Sequence, residues 1–327
     1  MRVGCLTYST DRGLSHLAKA HYDHGIITDV CLVMRGRMPN HPEWYPPESP
    51  QGNLAGMDMA YVRRWAERLD VLLAFETFFD WDLVPWCRKR GIRTVCVPMH
   101  ECFKTEWPRP DKFICPSLLD LDYFGGTFLP LPVDYPWRLR KRAEVFVHRG
   151  GYLGIRGREG TENVIEAMRH VRSPLRLIIQ VQENVSREAQ RLAAADPRID
   201  YRAETIPYEE LYAEGDVAVG AQKWNGCSLP LQEACASGML VMNTDRYPTN
   251  TWLSREPLIP VDHHVKSRIG GAYLNFDEAI VKPEAIAAKM DEYYGKDITA
   301  FSLAGKAWAE ENSWEKLGPC WLESLSS

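Results

Sequence analysis

The sequence predicts an α/β protein of two Rossmann-like domains, each built on a parallel sheet, and three observations carry the prediction. The 327 residues suffice for two units with proper cores, at about 150 residues each. Short apolar runs alternate with stretches of helical periodicity across short connections, the pattern of a parallel sheet covered on both faces. Between Lys223 and Asp245 a polar, glycine-bearing loop leads into a helix and then a buried strand, a unit suited to a ligand site at strand carboxyl ends.

The elements follow in order. Arg2 to Tyr8 reads as a strand ending in a turn at Ser9 to Gly13, and Leu14 to His24 has helical periodicity before Gly25. Thr28 to Met34 is a second strand. The stretch from Arg35 to Gly56 is rich in proline, glycine and aromatics, and lines an acceptor cleft or forms a surface excursion closed by Trp44 and Tyr45. A helix over Met57 to Leu69, a strand over Asp70 to Phe75, a helix over Leu83 to Arg90 and a strand over Ile92 to Val97 come next. Asp111 to Ser117 and Gly126 to Asp134 follow. The basic run Arg138 to Arg142 is read as a solvated charge run in preference to an interdomain hinge.

The second half opens with the strand Val145 to His148 and the loop Arg149 to Gly160, then a helix over Thr161 to His170. Strands at Leu175 to Val181 and Pro197 to Arg202 precede Ala203 to Pro207. Tyr208 to Glu214 reads as a short helix and Asp216 to Gly220 as a strand. Pro230 then falls in the first turn of a helix, where its missing N–H costs nothing. That helix ends at Gly238, a suitable left-handed cap, before the strand Met239 to Met242. Helices over Pro283 to Tyr294, Phe301 to Glu311 and from Ser313 onward complete the chain.

Composition narrows the chemistry. The net charge of −5 gives no global field for nucleic acid or an anionic membrane. Nine scattered cysteines without a Cys-x-x-Cys pair read as buried thiols rather than disulfides or zinc ligands. The first residues turn polar too soon for a signal peptide and no apolar run approaches membrane length, so a soluble cytoplasmic protein is expected. No oligomeric state follows from the sequence.

The chemistry concentrates in the second half. Gly150 and Gly151 let backbone amides approach a pyrophosphate, while Arg149, Arg156 and Arg158 can neutralise charge building on a leaving diphosphate. Asn225, Gly226, Cys227, Ser228 and Leu229 lead into the helix, whose N-terminal amides are expected to be free to point at an anion, and Glu233 lies within it. A plain buried unit with an exposed glutamate is the alternative.

The segment resembles the donor-site signature of the retaining GT-B glycosyltransferases of family four, where two glutamates eight positions apart bracket a Gly-x-x-Leu-Pro-Leu core. Glu233 matches the second glutamate, which in the family binds the ribose. Asn225 stands where the first is usual, the one that helps hold the transferred sugar and its charge. The family places an arginine and a lysine in the earlier loop; here Glu159 is nearest the lysine position and Arg158 is the substitute in kind. By the same resemblance Glu204, Thr205 and Ile206 contact the nucleobase, and the two sheets face each other across a cleft. Landmarks of the acceptor-side half are His100, Pro116-Ser117 and Pro132-Val133-Asp134. The implied domains are 1–140 on the acceptor side, 141–305 for the donor, and 306–327 as a helix packing back on the first.

The implied activity is transfer of a sugar, a hexose for preference, from a uridine, guanosine or adenosine diphosphate sugar to a hydroxyl acceptor, with retention. His100 is expected to contact sugar or acceptor, or else to be a structural histidine; Glu76 and Glu101 are weaker acid/base candidates. Asp80-Trp-Asp82 and Asp120-Leu-Asp122 match the Asp-x-Asp string of metal-dependent transferases, but are read as caps or solvent-facing acids, with no catalytic metal and no cofactor beyond the donor. The acceptor is a carbohydrate, a small molecule or, as for compact phage-type enzymes, a hydroxymethylated base in DNA. A non-catalytic nucleotide-sugar binder is the competing class, motivated by Asn225 and the missing lysine. A dehydrogenase is disfavoured, since Cys5 to Gly13 lacks Gly-x-Gly-x-x-Gly.

Overall fold

The computed structural model describes residues 1–327 except 36–38, 54–56, 101, 152–156 and 267–276. It divides into two compact units, Met1–Pro132 with Trp314–Ser327, and Val133–Ser313.

The first unit runs β1 (Val3–Thr7), α1 (Gly13–Asp23), β2 (Asp29–Met34), β3 (Gln51–Asn53), α2 (Met59–Ala66), β4 (Val71–Phe75), α3 (Leu83–Arg88), β5 (Arg93–Val97), β6 (Lys112–Cys115), α4 (Leu118–Phe124) and β7 (Thr127–Phe128). Its seven strands are parallel in the order β3-β2-β1-β4-β5-β6-β7. The central strands β1 and β4 are buried at every position, which is why β4 reads as an unbroken apolar run, while β1 carries Gly4 and Thr7 among its apolar residues. Within the stretch after β2 that lacked a pattern, the chain makes a 3-10 turn at Pro42–Trp44 and then edge strand β3. Asp58 and Ser117 cap α2 and α4 through their side-chain oxygens.

The second unit runs β8 (Val145–Gly151), α5 (Thr161–Ala167), β9 (Arg176–Val181), α6 (Arg187–Ala195), β10 (Ile199–Ala203), β11 (Val217–Val219), α7 (Leu229–Ala236), β12 (Leu240–Met242), β13 (His263–Lys266), β14 (Asp277–Ile280), α8 (Pro283–Tyr293) and α9 (Thr299–Glu311). Strands β8 to β12 form a parallel sheet of order β10-β9-β8-β11-β12. Alternation sorts the side chains: Phe146, Leu177, Ile179, Val217, Val219, Leu240 and Met242 enter one core, while Val147, Ile178, Ala218 and Val241 enter the other. Val164 and Ile165 of α5, Ala189 of α6 and Ile286 of α8 join the first core, and Leu231 and Ala234 of α7 the second.

Beyond the second unit, α10 (Trp314–Ser326) belongs to the first. Trp321 donates its indole N–H to the carbonyl of Pro130 at 3.1 Å. The rings of Trp314 and Trp321 stand 4.8 and 4.6 Å from that of His21, which is fully buried.

Some elements differ from the sequence reading. The helix expected over Tyr208 to Glu214 is a single 3-10 turn, Tyr208–Glu210, followed by turns, because Pro207 and Gly215 bracket a span too short for an α-helix to repay its nucleation. Helix α6 and the antiparallel pair β13-β14 were not anticipated. Among the described residues no helix is long and apolar enough to cross a membrane.

Candidate functional site

In each large sheet the strand order reverses beside the first strand of its unit, and α/β sheets bind ligands beyond the carboxyl ends of strands at such a reversal. In the second unit those ends are Arg149 to Gly151 on β8 and the loop that follows β11. The two are tied by His148, whose buried ring donates from Nδ1 to the carbonyl of Val219 at 2.8 Å. Its Nε2 therefore accepts the hydroxyl of Thr161, also at 2.8 Å, and burial, which holds its pKa below the ordinary value, keeps it neutral.

Arg149 is the central residue. Its Nε and Nη1 are buried and have no hydrogen-bond partner among the described residues, and its guanidinium carbon lies 5.3 Å from the centre of the Tyr212 ring. Burial pushes its pKa below the usual guanidinium value, yet the group remains a cation. A buried cation with vacant donors is costly unless an anion meets it. Gly151 sits just beyond, at φ 51° with a shift in strand register. Its carbonyl accepts the amide of Gln182 at 2.7 Å.

Glu233, half-buried on α7, faces the same cluster. Its Oε1 accepts the hydroxyl of Tyr208 at 2.9 Å, and its Oε2 lies 3.2 Å from the hydroxyl of Tyr212. Burial raises its pKa from 4.5 to about 7, against the opposing pull of the two tyrosine hydroxyls and the Arg149 charge. Tyr135 braces the pair, accepting the Tyr212 amide at 3.0 Å and giving its own proton to the carbonyl of Glu209 at 2.9 Å. The tyrosines were not singled out in the sequence. The four-residue spacing of Tyr208 and Tyr212 was the local hint, but their contact with Glu233 is long-range.

The loop before α7 is more occupied than its sequence implies. The amide of Ser228 is not free for an anion: it donates to Oδ1 of Asn225 at 2.9 Å. Ser228 itself is left-handed, with φ 56°, and gives its hydroxyl to Gln222 at 2.9 Å. The carbonyl of Asn225 accepts from Arg246 at 3.0 Å, and that of Cys227 accepts from Gln232 at 2.7 Å. Gly226 is buried and Leu229 half-buried.

Arg158 does not stand as an isolated cation. Its Nε donates to Glu159 at 2.9 Å and its guanidinium lies 5.3 Å from the Trp224 ring. The other oxygen of Glu159 accepts Gln222 at 2.8 Å, so this carboxylate anchors the loop after β11 to the start of α5. Gly160, at φ 69°, follows; a methyl group there would meet the carbonyl oxygen of Ala221 at 2.3 Å. Gly150 is buried on β8. Glu204 and Thr205 are exposed and Ile206 half-buried beyond β10, with the Glu204 amide extending the ladder to Val181 at 3.0 Å. Arg156 lies outside the described residues, as does Glu101.

In the first unit His100 stands three residues past the end of β5 and is buried. Its amide and Nδ1 approach Oδ1 of Asp120 at 3.1 and 3.3 Å. Asp120 therefore does not face solvent: it is buried in the first turn of α4, where Ser117 caps its amide at 3.1 Å. Asp80 turns its carboxylate to the amide of Asp82 at 3.0 Å. Glu76, left-handed at φ 68°, follows β4 and bonds through its amide to the carbonyl of Val97 at 2.9 Å. Among the described residues no group of three or more His, Cys, Asp or Glu is placed to hold a metal ion.

No protein-family model matches the sequence, and no curated protein does. Solved structures do match in fold. HepE of Anabaena, solved with UDP and glucose, has a TM-score of 0.69 at 13% identity, over 100% of this chain and 99% of that one. The pneumococcal O-GlcNAc transferase GtfA, solved with UDP and GlcNAc, has a TM-score of 0.59 at 17% identity, over 82% of this chain and 59% of that one. Sucrose-phosphate synthase of Thermosynechococcus elongatus has a TM-score of 0.57 at 13% identity, over 95% and 98%. With two doubly wound parallel sheets and these matches, the chain has the GT-B fold of glycosyltransferases.

Proposed function

We propose that the protein is a glycosyltransferase that moves a hexose from a nucleoside diphosphate sugar to a hydroxyl acceptor, with retention and without a metal, as a soluble cytoplasmic enzyme. The observation that carries the reading is Arg149: a largely buried cation whose Nε and Nη1 meet no acceptor among the described residues, at the strand end where the sheet order reverses, next to a glycine pair. Such a group suits a diphosphate, whose oxygens satisfy the donors and whose charge offsets the guanidinium. Solved proteins of the same fold hold UDP with glucose or GlcNAc, which supports a nucleotide-sugar donor.

In this reading Arg149 stabilises charge as the bond between the sugar's anomeric carbon and the diphosphate oxygen breaks. The acceptor hydroxyl forms the new bond on the same face, and its proton passes to the departing phosphate oxygen. Glu233 takes the ribose, Glu204 to Ile206 the base, and Gly226 to Leu229 with Asn225 border the sugar. His100 is assigned to the acceptor side and Arg158 to support of the diphosphate. The acceptor is a carbohydrate or small molecule, or a hydroxymethylated base in DNA.

One observation favours a second reading, nucleotide-sugar binding without turnover: Asn225 already spends its side-chain oxygen on Ser228. The test is a melting-temperature panel of UDP, GDP and ADP with their glucose esters, followed by assay of free nucleotide and transferred sugar. A ligand at 100 times its Kd stabilises by about 2.7 kcal/mol, a readily measured shift. Binding with transfer supports the first reading, binding without transfer the second, and no binding overturns both.

A further inference from the structure

The sheet of the second unit buries one polar side chain that neither the fold nor the diphosphate contact uses. Gln180 is the next-to-last residue of β9 and is 5% exposed. Leu177, Ile179 and Val181 enter one core and Ile178 the other, so alternation turns Gln180 to the face of Ile178, where Leu231 and Ala234 of α7 also pack. In register it lies between Arg149 on β8 and Arg202 on β10. Its Nε2 donates to the carbonyl of Glu204 at 2.7 Å, which fixes the amide, since the flipped group would set oxygen against oxygen. Its Oε1 is buried and has no hydrogen-bond partner among the described residues.

Neither neighbouring arginine supplies that partner. Arg202 gives its guanidinium to Asp200 and Glu214 at 2.7 to 3.3 Å, and Arg149 lies over the ring of Tyr212. A buried amide oxygen without a donor is costly, and at the carboxyl end of a strand beside a sheet reversal a ligand N–H is the group that relieves it.

Backbone donors follow in the segment that Gln180 grips. The Glu204 amide is bonded to the carbonyl of Val181 at 3.0 Å, whereas the amides of Thr205 and Ile206 meet no acceptor among the described residues. One acceptor with open amides beside it is the complement of uracil, whose pairing edge sets a single N–H between two carbonyl oxygens. Cytosine puts a lone pair where that N–H stands and an amino group in place of one carbonyl. Adenine offers an amino group with two hydrogens beside a bare ring nitrogen. Guanine offers an imino and an amino group, three hydrogens for one oxygen.

We propose that Gln180 reads the base of the donor nucleotide and selects uracil, its Oε1 accepting the N3–H while the open amides after β10 take a flanking carbonyl oxygen. This rests on the glycosyltransferase reading of the site and narrows its donor from a nucleoside diphosphate sugar at large to a uridine one.

The experiment is titration calorimetry of the full chain with UDP, CDP, GDP, ADP and N3-methyl-UDP. UDP and CDP share shape and charge, so the ratio of their affinities isolates the pairing edge. The parent is expected to bind UDP about 100-fold more tightly than CDP, which mismatches two hydrogen bonds, and about tenfold or more above N3-methyl-UDP, which lacks the N–H. GDP and ADP should bind more weakly than UDP as well. Gln180→Met keeps the bulk and removes the oxygen, so UDP should lose about tenfold while CDP keeps its affinity. Damage to packing alone would weaken both nucleotides alike and leave their ratio unchanged.

A parent that binds CDP, GDP, ADP or N3-methyl-UDP as tightly as UDP overturns the assignment and leaves the glycosyltransferase reading intact. A Gln180→Met variant with the parent's ratio of UDP to CDP does the same. Should that variant fail to fold, the comparison of UDP with N3-methyl-UDP on the parent decides by itself. A parent that binds none of the five overturns the reading on which the assignment rests.

Discussion

The guanidinium of Arg149 lies over the ring of Tyr212, 5.3 Å from its centre, and the same tyrosine's hydroxyl stands 3.2 Å from Glu233. One aromatic side chain thus separates the two groups assigned to the phosphate and ribose ends of a nucleotide. Arg149→Ala should weaken binding of the preferred nucleoside diphosphate by about 10- to 100-fold, the range for losing a charge-assisted hydrogen bond, by calorimetry. Arg149→Met should lose the same affinity yet be about 1 kcal/mol more stable in urea, because it removes a largely buried cation with two donors unmet among the described residues while keeping its bulk.

Glu233 should make the ligand-free protein lose stability as pH rises. Its folded pKa, about 7, exceeds the unfolded value near 4.5, so the folded chain holds more protons between those limits. Its stabilising share is complete below 4.5 and gone above 7. Glu233→Gln, a permanent mimic of the neutral acid, should melt with the parent at pH 4.5 and about 7–14 °C above it at pH 8, in paired thermal scans.

Glu159 should matter for stability more than a surface carboxylate does. It accepts from Arg158 and from buried Gln222, so Glu159→Ala leaves the Gln222 amide without its acceptor. A loss of about 2–3 kcal/mol is expected by denaturant titration. Glu159→Lys, which restores the residue of the resembled family, should be no better, since it sets a second cation against Arg158.

Gly160 permits the close approach of α5 to the loop after β11. Gly160→Ala forces a methyl group into the Ala221 carbonyl and strains a left-handed residue, at a cost of about 2 kcal/mol or more. Urea unfolding with a normal slope and a lowered midpoint would bear this out.

His41 gives the first unit an opposite proton linkage to that of an ordinary carboxylate. Desolvation lowers its pKa, but hydrogen bonds to Asp11 at 3.1 Å and Glu43 at 2.9 Å outweigh it and the net shift is upward. Its stabilising share is therefore complete below pH 6.5 and lost as pH rises through the folded value. His41→Gln should flatten the decline of stability above neutrality, by denaturant titration at pH 6 and 9.

The sequence made the alternation of strands and helices legible because the central strands are buried on both faces. Val3–Thr7 and Val71–Phe75 have no solvent-facing position to interrupt the run. What it hid has physical causes. Strand β13 is exposed at all four positions and carries no alternation. Helix α6 buries only Ala189 and Ala193, two small residues in a polar stretch. In the candidate site, Arg149, Gly150 and Glu233 were named from local pattern and lie where the sheet order reverses. Tyr135, Tyr208 and Tyr212 went unnamed, since their roles depend on partners more than twenty residues away for Glu233 and more than seventy for Tyr135. Asn225 and Ser228 were read as open to ligand; their mutual bond is a loop closure that residue type alone does not reveal.

Helix α10 completes the first unit although the whole of Val133–Ser313 lies between it and Pro132. A ribosome must therefore deliver the second unit before the first can seal Trp314 and Trp321 around His21. Until α10 emerges, the apolar surface that receives those indoles lacks its cover.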